Sequence, residues 1–327
     1  MAIINQNKRS YMINRKSPII SIVMATYNRS NIISYAIESV LNQTITDWEL
    51  IIVGDHCTDE TEQVIHTFQD QRIIFYNLPS NHGEQSVPNN FGIKKASGKY
   101  LAFLGHDDMW FPEHLENTLT ALNENLDVKM VCCPTIFIPN NGNIKILGIF
   151  KNSLLQSGEY MPPSSWVMLT DFARTLGDWK SAWTLKELPQ EEWLERALKM
   201  SRVIATNKIG LLKITSADRK NSYSCSNNME HEYYKNMMIE NMQFCEKSII
   251  KHFTNKETHD RSSRYALAEA TYYQLFRSIL FKTIKIILTS LRIDINQLKK
   301  NVSKGEVANG FRKTRGLKEI IIPKRSM

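Results

Sequence analysis

Leu101-Ala102-Phe103-Leu104-Gly105-His106-Asp107-Asp108 is an apolar run that ends in paired carboxylates. Four apolar side chains in succession suit a strand covered on both faces, whereas adjacent aspartates gain nothing from burial. Such acids belong at the carboxyl edge of a parallel sheet, where open α/β folds bind their ligands. Carboxylates placed there can hold a hard divalent cation, which commonly sits against a phosphate-bearing molecule. The competing reading is a polar turn leading into a helix, since aspartate is a frequent turn residue. The residues upstream decide between the two.

Pro18 to Thr26 is nearly continuous in apolar residues, as buried parallel strands are. The loop Tyr27-Asn28-Arg29-Ser30 follows, and Ile33, Ala36, Ile37, Val40 and Leu41 then recur at helical spacing. A second strand, Trp48 to Val53, runs into Gly54-Asp55-His56-Cys57-Thr58-Asp59, with Asp59 and Glu62 at capping-box spacing for the next helix. A third strand, Arg72 to Asn77, precedes the loop Asn81-His82-Gly83-Glu84, and the helix after it is expected to end on Gly98 as a C-cap. Tyr100 to Leu104 is the fourth strand. Pro112 then sits where a first helical turn tolerates it, ahead of Leu115, Leu119 and Leu122. Strands alternating with helices in this way predict a parallel α/β sheet.

Past residue 125 the pattern changes. Val128 to Ile138 and Ile144 to Phe150 flank Asn140-Asn141-Gly142-Asn143, an antiparallel hairpin signal. A helix after Pro189 places Trp193, Leu194, Ala197 and Leu198 on one face. Residues 201–260 read only as mixed helix and loop. Residues 265–300 read as helical, with Ile279, Leu280, Ile287, Leu288 and Leu291 opposing Arg277, Lys282, Lys285 and Arg292.

The bulk composition bounds the rest. With 327 residues, 42% hydrophobic and 23% charged, the chain is long enough for one large globular domain with an appendage. Its five cysteines (Cys57, Cys132, Cys133, Cys225, Cys245) show no paired spacing, which argues against a zinc site or disulfide framework and for a reducing compartment. Residues 1–17 are polar and basic, unlike a secretory signal, and no apolar run of about eighteen residues predicts a membrane span. The net charge of +8 is concentrated in a tail: residues 277–325 hold thirteen Lys or Arg against Asp294, Glu306 and Glu319. That tail reads as a solvated helix face or a membrane-surface helix; no aromatic-interleaved basic motif supports nucleic-acid binding.

The first strand-to-helix turn lacks Gly-x-Gly-x-x-Gly, which argues against ordinary dinucleotide binding. Instead three polar loops, Thr26 to Arg29, Asp55 with Thr58-Asp59, and Asp107-Asp108, emerge on one carboxyl edge. In order and spacing, Ser21 to Arg29, Ile52 to Asp59, Asn90-Phe91-Gly92-Ile93 with Gly98-Lys99-Tyr100, and Phe103 to Asp108 resemble the family 2 glycosyltransferases, which have the GT-A fold. The resemblance covers residues 18–125 well and 160–198 loosely.

The resemblance implies a mostly parallel, Rossmann-like nucleotide-binding sheet with a small antiparallel acceptor-side sheet. It divides the chain into a flexible basic N-terminus (1–17), a nucleotide-sugar half (18–125), an acceptor-side half (126–260) and a basic helical extension (261–327). It implies an inverting, metal-dependent transfer from a nucleotide sugar, UDP-linked, to a glycan, lipid-linked or other hydroxyl acceptor in bacterial surface polysaccharide synthesis. Such an enzyme is expected in the cytoplasm or peripherally at the inner membrane face. The donor-binding set is Ala25, Tyr27, Arg29, Asp55, Asn89 and Asp107: Tyr27 against the base, Asp55 accepting from it, Asp107 facing ribose and sugar. Asp108, with Asp107, would bind Mg²⁺ or Mn²⁺. Gly177-Asp178-Trp179 and Pro189-Gln190-Glu191-Glu192-Trp193 resemble the acceptor segment, whose base would be Glu192 in preference to Glu191. Acids in a first helical turn also stand there for the helix dipole alone. Trp166, Trp179, Trp183 and Trp193 are candidates for an acceptor-sugar platform or for core packing. The chain departs from the family pattern at Gly54, Gly105 and Asn89. A nucleotidyltransferase of similar topology and a catalytically weakened sugar-nucleotide-binding module are the alternatives.

Overall fold

The computed structural model describes residues 17–139, 145–150, 153–215, 223, 229–240, 305–318 and 320. The expected turn at Asn140 to Asn143, the amphipathic helix at 265–300, Cys225 and Cys245 lie outside these residues.

The alternation of strand and helix is realised in the first third of the chain. Strands β1 (Ile20–Thr26), β2 (Trp48–Gly54), β3 (Ile73–Asn77) and β4 (Tyr100–Phe103) are joined by α1 (Ile33–Leu41), α2 (Thr61–His66) and α3 (Ser86–Lys95). β1 pairs in parallel with β2 and with β4, and β2 pairs in parallel with β3. Next come β5 (Asp108–Trp110), α4 (His114–Glu124), β6 (Met130–Cys132), β7 (Thr135–Ile138) and β8 (Lys145–Leu147). They are followed by β9 (Trp166–Leu169), α5 (Thr170–Leu176), α6 (Pro189–Met200), β10 (Val203–Ala205), β11 (Leu211–Ile214), α7 (Met229–Glu240) and a helix at Glu306–Thr314, here α8.

The main sheet has seven strands in the order β10-β6-β9-β4-β1-β2-β3, and only β9 runs against its neighbours. Strands β6, β9 and β10 thus extend the same sheet that the first four strands begin. A second sheet has the order β5-β11-β7-β8. Its β5–β11 and β7–β8 pairings are antiparallel, as expected, while β7–β11 is parallel. β11 was hidden in the stretch read as mixed helix and loop.

Burial on both faces explains the unbroken apolar strands. Ile20, Ile22, Met24, Leu50 and Ile52 pack with α1 and α4, whereas Val23, Ile51 and Val53 face α3, α5 and α6. Each such side chain contributes about 1.5–3 kcal/mol by leaving water. Pro189 opens α6 as expected, and Trp193, Leu194 and Ala197 are its buried face.

Two local expectations are corrected. Helix α3 ends at Lys95, so Gly98 is not its C-cap. A Cβ at Gly98 would stand 2.6 Å from the Ser21 backbone nitrogen, so the residue is glycine because two backbones touch. Asp59 makes no capping box with Glu62: its carboxylate accepts from Thr61 N–H (3.1 Å) and from Ser30 N–H (3.0 Å). It joins two loops on the sheet edge.

Candidate active site

The loops after β1, β2 and β4 are tied into one rim. Asn28 and Thr58 exchange two hydrogen bonds, at 3.3 and 2.8 Å, and Arg29 N–H donates to Thr61 Oγ1 at 2.8 Å. The His106 Nδ1–H donates to the Ala25 carbonyl (3.1 Å), because a carbonyl can only accept. That tautomer leaves Nε2 to accept from Arg29 Nε (3.3 Å). Burial, reinforced by the Arg29 charge and opposed by Asp107, pushes His106 down to about 4, so it stays a neutral acceptor. His106 therefore positions Arg29.

Asp55 is buried at this rim. Its carboxylate accepts from the backbone N–H groups of His82 (2.9 Å) and Gly83 (2.8 Å), and it meets His82 Nδ1 at 3.0 Å. Tyr27, half-buried beside it, stacks on Tyr223 with ring centroids 6.4 Å apart. The Arg29 guanidinium lies 3.5 Å from the centre of the Tyr223 ring, and Arg315 lies 5.9 Å from it. Arg312 donates to the Gly83 carbonyl at 2.7 Å. Ala25, Tyr27, Arg29, Asp55 and Asp107 are thus gathered at the carboxyl ends of β1, β2 and β4, with Asn89 buried in α3 behind them. Sequence reading missed His82 and Gly83 as the cradle of Asp55, and Tyr223, Arg312 and Arg315 as the cover.

Asp108 departs from its expected role. It has no exposed surface, and the Lys213 Nζ lies 3.1 and 3.0 Å from its two oxygens. Ser164 Oγ donates to Oδ2 at 2.5 Å and in turn accepts the Gly105 N–H at 2.9 Å. Burial pushes the Asp108 carboxyl up, opposed by the Lys213 charge. Burial depresses Lys213, but Asp108 and Asp107 overcome it and hold the ammonium above its usual range. A further acid in place of Gly105 is excluded, since a Cβ there would lie 2.8 Å from Asp108 Oδ2 and 3.1 Å from Asp107 Oδ1. Among the described residues no three His, Cys, Asp or Glu side chains form a metal-binding group. The donor set around Asp108 does not fit a divalent cation, because a lysine already fills that carboxylate's coordination.

The two acids of α6 have different surroundings. Glu192 is 11% exposed; Oε1 pairs with Lys180 at 2.6 Å and Oε2 with Arg196 at 2.9 Å. Arg196 also donates to the carbonyls of Leu176 and Asp178, so Glu192 neutralises a clamp that fixes residues 176–178 on α6. Both oxygens of the Glu192 carboxylate are thus engaged by cations. Glu191 is exposed, with Oε2 accepting the Leu188 N–H at 3.3 Å. Trp193 stacks on Trp166 and on Trp179 in the core, and Phe103 meets all three edge-on, which removes them from any sugar platform. Trp183 is half-buried and donates from Nε1 to the His82 carbonyl at 3.1 Å, so it remains at the rim.

Comparisons with known proteins cover the same part of the chain. Residues 21–171 match the family described as Glycosyl transferase family 2. An uncharacterized glycosyltransferase of Rickettsia typhi is 36% identical over 121 residues, covering 36% of this chain and 37% of that protein. The Escherichia coli UDP-Glc:alpha-D-GlcNAc-diphosphoundecaprenol beta-1,3-glucosyltransferase WfgD is 36% identical over 107 residues, covering 33% of this chain and 42% of its own. The Staphylococcus aureus poly(ribitol-phosphate) beta-N-acetylglucosaminyltransferase TarP is 39% identical over 110 residues, covering 32% of this chain and 33% of TarP. The matched part therefore spans less than half the length of these relatives. In structure, S. aureus TarS 1-349, solved in complex with UDP-GlcNAc, superposes with a TM-score of 0.51 over 60% of this chain and 58% of TarS, at 17% identity, which establishes the shared fold. Fold and sequence match coincide on one segment: residues 21–171 of this chain match Glycosyl transferase family 2.

Proposed function

We propose that the chain transfers a sugar from a nucleoside diphosphate donor, UDP-linked, to a hydroxyl of a bacterial surface polysaccharide or its lipid-linked precursor, with inversion. The observation that carries this reading is the convergence of Tyr27, Asp55, Arg29 and Asp107 on one rim. The acceptors for which WfgD and TarP are named, a diphosphoundecaprenol-linked sugar and poly(ribitol-phosphate), support the acceptor class.

In the reaction the acceptor oxygen attacks the anomeric carbon from the face opposite the diphosphate. The new C–O bond forms as the bond to the departing phosphate oxygen breaks, and the hydroxyl proton passes to a carboxylate. Glu191 is the proposed base, being the exposed acid of α6. Tyr27 and Asp55 take the base of the donor, with the Asp55 carboxylate presented by the 82–83 backbone. Arg29, oriented by His106, is aimed at the negative charge that grows on the leaving group. Trp183 offers an aromatic face at the rim to a sugar ring. No step is routed through a divalent cation, because the surroundings of Asp108 do not fit one. No helix among the described residues is long and apolar enough to cross a membrane; contact of the basic tail with a membrane surface belongs to this proposal only.

Thermal shift against a panel of nucleotide sugars tests the reading, followed by product analysis with the sugar that binds. A several-degree stabilisation by one uridine diphosphate sugar, with inverted product, is expected. Stabilisation by nucleoside triphosphates alone would instead support a nucleotidyltransferase.

A further inference from the structure

Asp108 and Lys213 face each other across the β5–β11 pairing, in register, 105 residues apart in sequence. A cross-strand pair on adjacent strands is fixed by the sheet and not by chance side-chain reach. Both Asp108 oxygens meet the ammonium, and Ser164 completes the shell of one oxygen. Breaking such a buried pair would leave a bare charge, so a cation that displaced Lys213 would have to overcome that penalty. The lysine is not sealed in: its side chain is 18% exposed, against 0% for Asp108. An ammonium carries three donors, so it can hold Asp108 and still present positive charge outward. Lys213 and Arg29 together match the charge of the divalent cation that Asp107 and Asp108 were expected to hold.

Resting on the donor-site reading above, we propose that this chain binds its donor diphosphate without a divalent cation, with Lys213 as the resident cation locked to Asp108 and Arg29 as the second positive group at the rim. Arg315, packed near the same Tyr223 ring as Arg29, adds a further positive group on that side.

The test is calorimetric titration of UDP into the full chain, once in EDTA and once in MnCl₂. Equal affinity within about threefold is expected under both conditions. Lys213→Ala should lower UDP affinity at least tenfold in EDTA, and Mn²⁺ should restore it, because the freed Asp108 then has room for the ion. The paired variant Lys213→Met with Asp108→Asn leaves no buried bare charge, so it guards against simple misfolding. It should bind UDP weakly with or without Mn²⁺. Wild-type binding that requires Mn²⁺ would overturn the inference while leaving the donor site intact. UDP binding by the paired variant at wild-type strength would show Lys213 to be merely structural and overturn it as well. No UDP binding under any condition would overturn the donor-site reading itself, and this inference with it.

Discussion

Glu191 and Glu192 are neighbours with opposite electrostatic fates, and that makes them separable. Glu191→Gln removes the exposed carboxylate and should lower turnover by about 10²- to 10⁴-fold while leaving the UDP dissociation constant within about threefold. Glu192→Gln should weaken the Lys180 and Arg196 pairings, costing about 1 kcal/mol of stability, with turnover changed far less. Steady-state kinetics beside urea unfolding distinguishes the two, and the reverse pattern would return the base role to Glu192. His114 sets a different expectation. It has no exposed surface, stacks on Trp110 at 4.5 Å, and burial alone pushes it down from 6.5 to about 3. Its folded value is depressed, so unfolded chains take up a proton below pH 6.5 that native chains refuse. The stability it contributes is therefore complete above pH 6.5 and is lost as the pH falls towards 3, by up to about 1.4 kcal/mol per unit. Wild type should lose more unfolding free energy than His114→Phe between pH 6.5 and 4.5; parallel losses would mean that the unfolded ring is not what titrates.

Elements that bury a periodic face were legible in the sequence, and those shaped by backbone contact were not. β1, β2 and β4 announce themselves because both faces are covered and nearly every residue is apolar. Pro189 and the Trp193, Leu194, Ala197 stripe mark α6 by helical spacing. β11 is four residues long and carries Lys213 at its third position, so neither period emerges from it. Gly98 shows the same limit: glycine after a helix suggests a cap, yet its reason is the approach of β1. Gly98→Ala would push a methyl group against the Ser21 and Ile20 backbone, which cannot rotate away as a side chain would. The expected cost is about 1–3 kcal/mol, from strain between β1 and the start of β4, read as a lower urea midpoint with an unchanged slope. Gly98 does not have positive φ, so the loss would come from this backbone contact and not from a C-cap conformation.

At the scale of the whole molecule, the site is assembled from segments that no local pattern could have joined. The acids at the ends of β2 and β4 were readable because a parallel sheet points its carboxyl ends one way. Lys213, which decides the charge of Asp108, comes from the second sheet, and the cover of the base-side rim comes from near the C-terminus. That cover has a defined linkage. Arg312 donates to the Gly83 carbonyl, the Gly83 N–H donates to Asp55, and Arg312 Nε donates to the Lys318 carbonyl, 2.8 Å away. The segment holding α8 thus braces the loop that presents Asp55, 229 residues away in sequence. Arg312→Ala removes the brace without opening the core, since the main sheet gets nothing from it. UDP affinity should fall about tenfold while the urea midpoint moves little, and the Gly83 amide should exchange faster with solvent because its bond to Asp55 is no longer held. Unchanged exchange at Gly83 together with unchanged UDP affinity would mean that Asp55 is organised by its own loop, and that α8 merely rests on the rim.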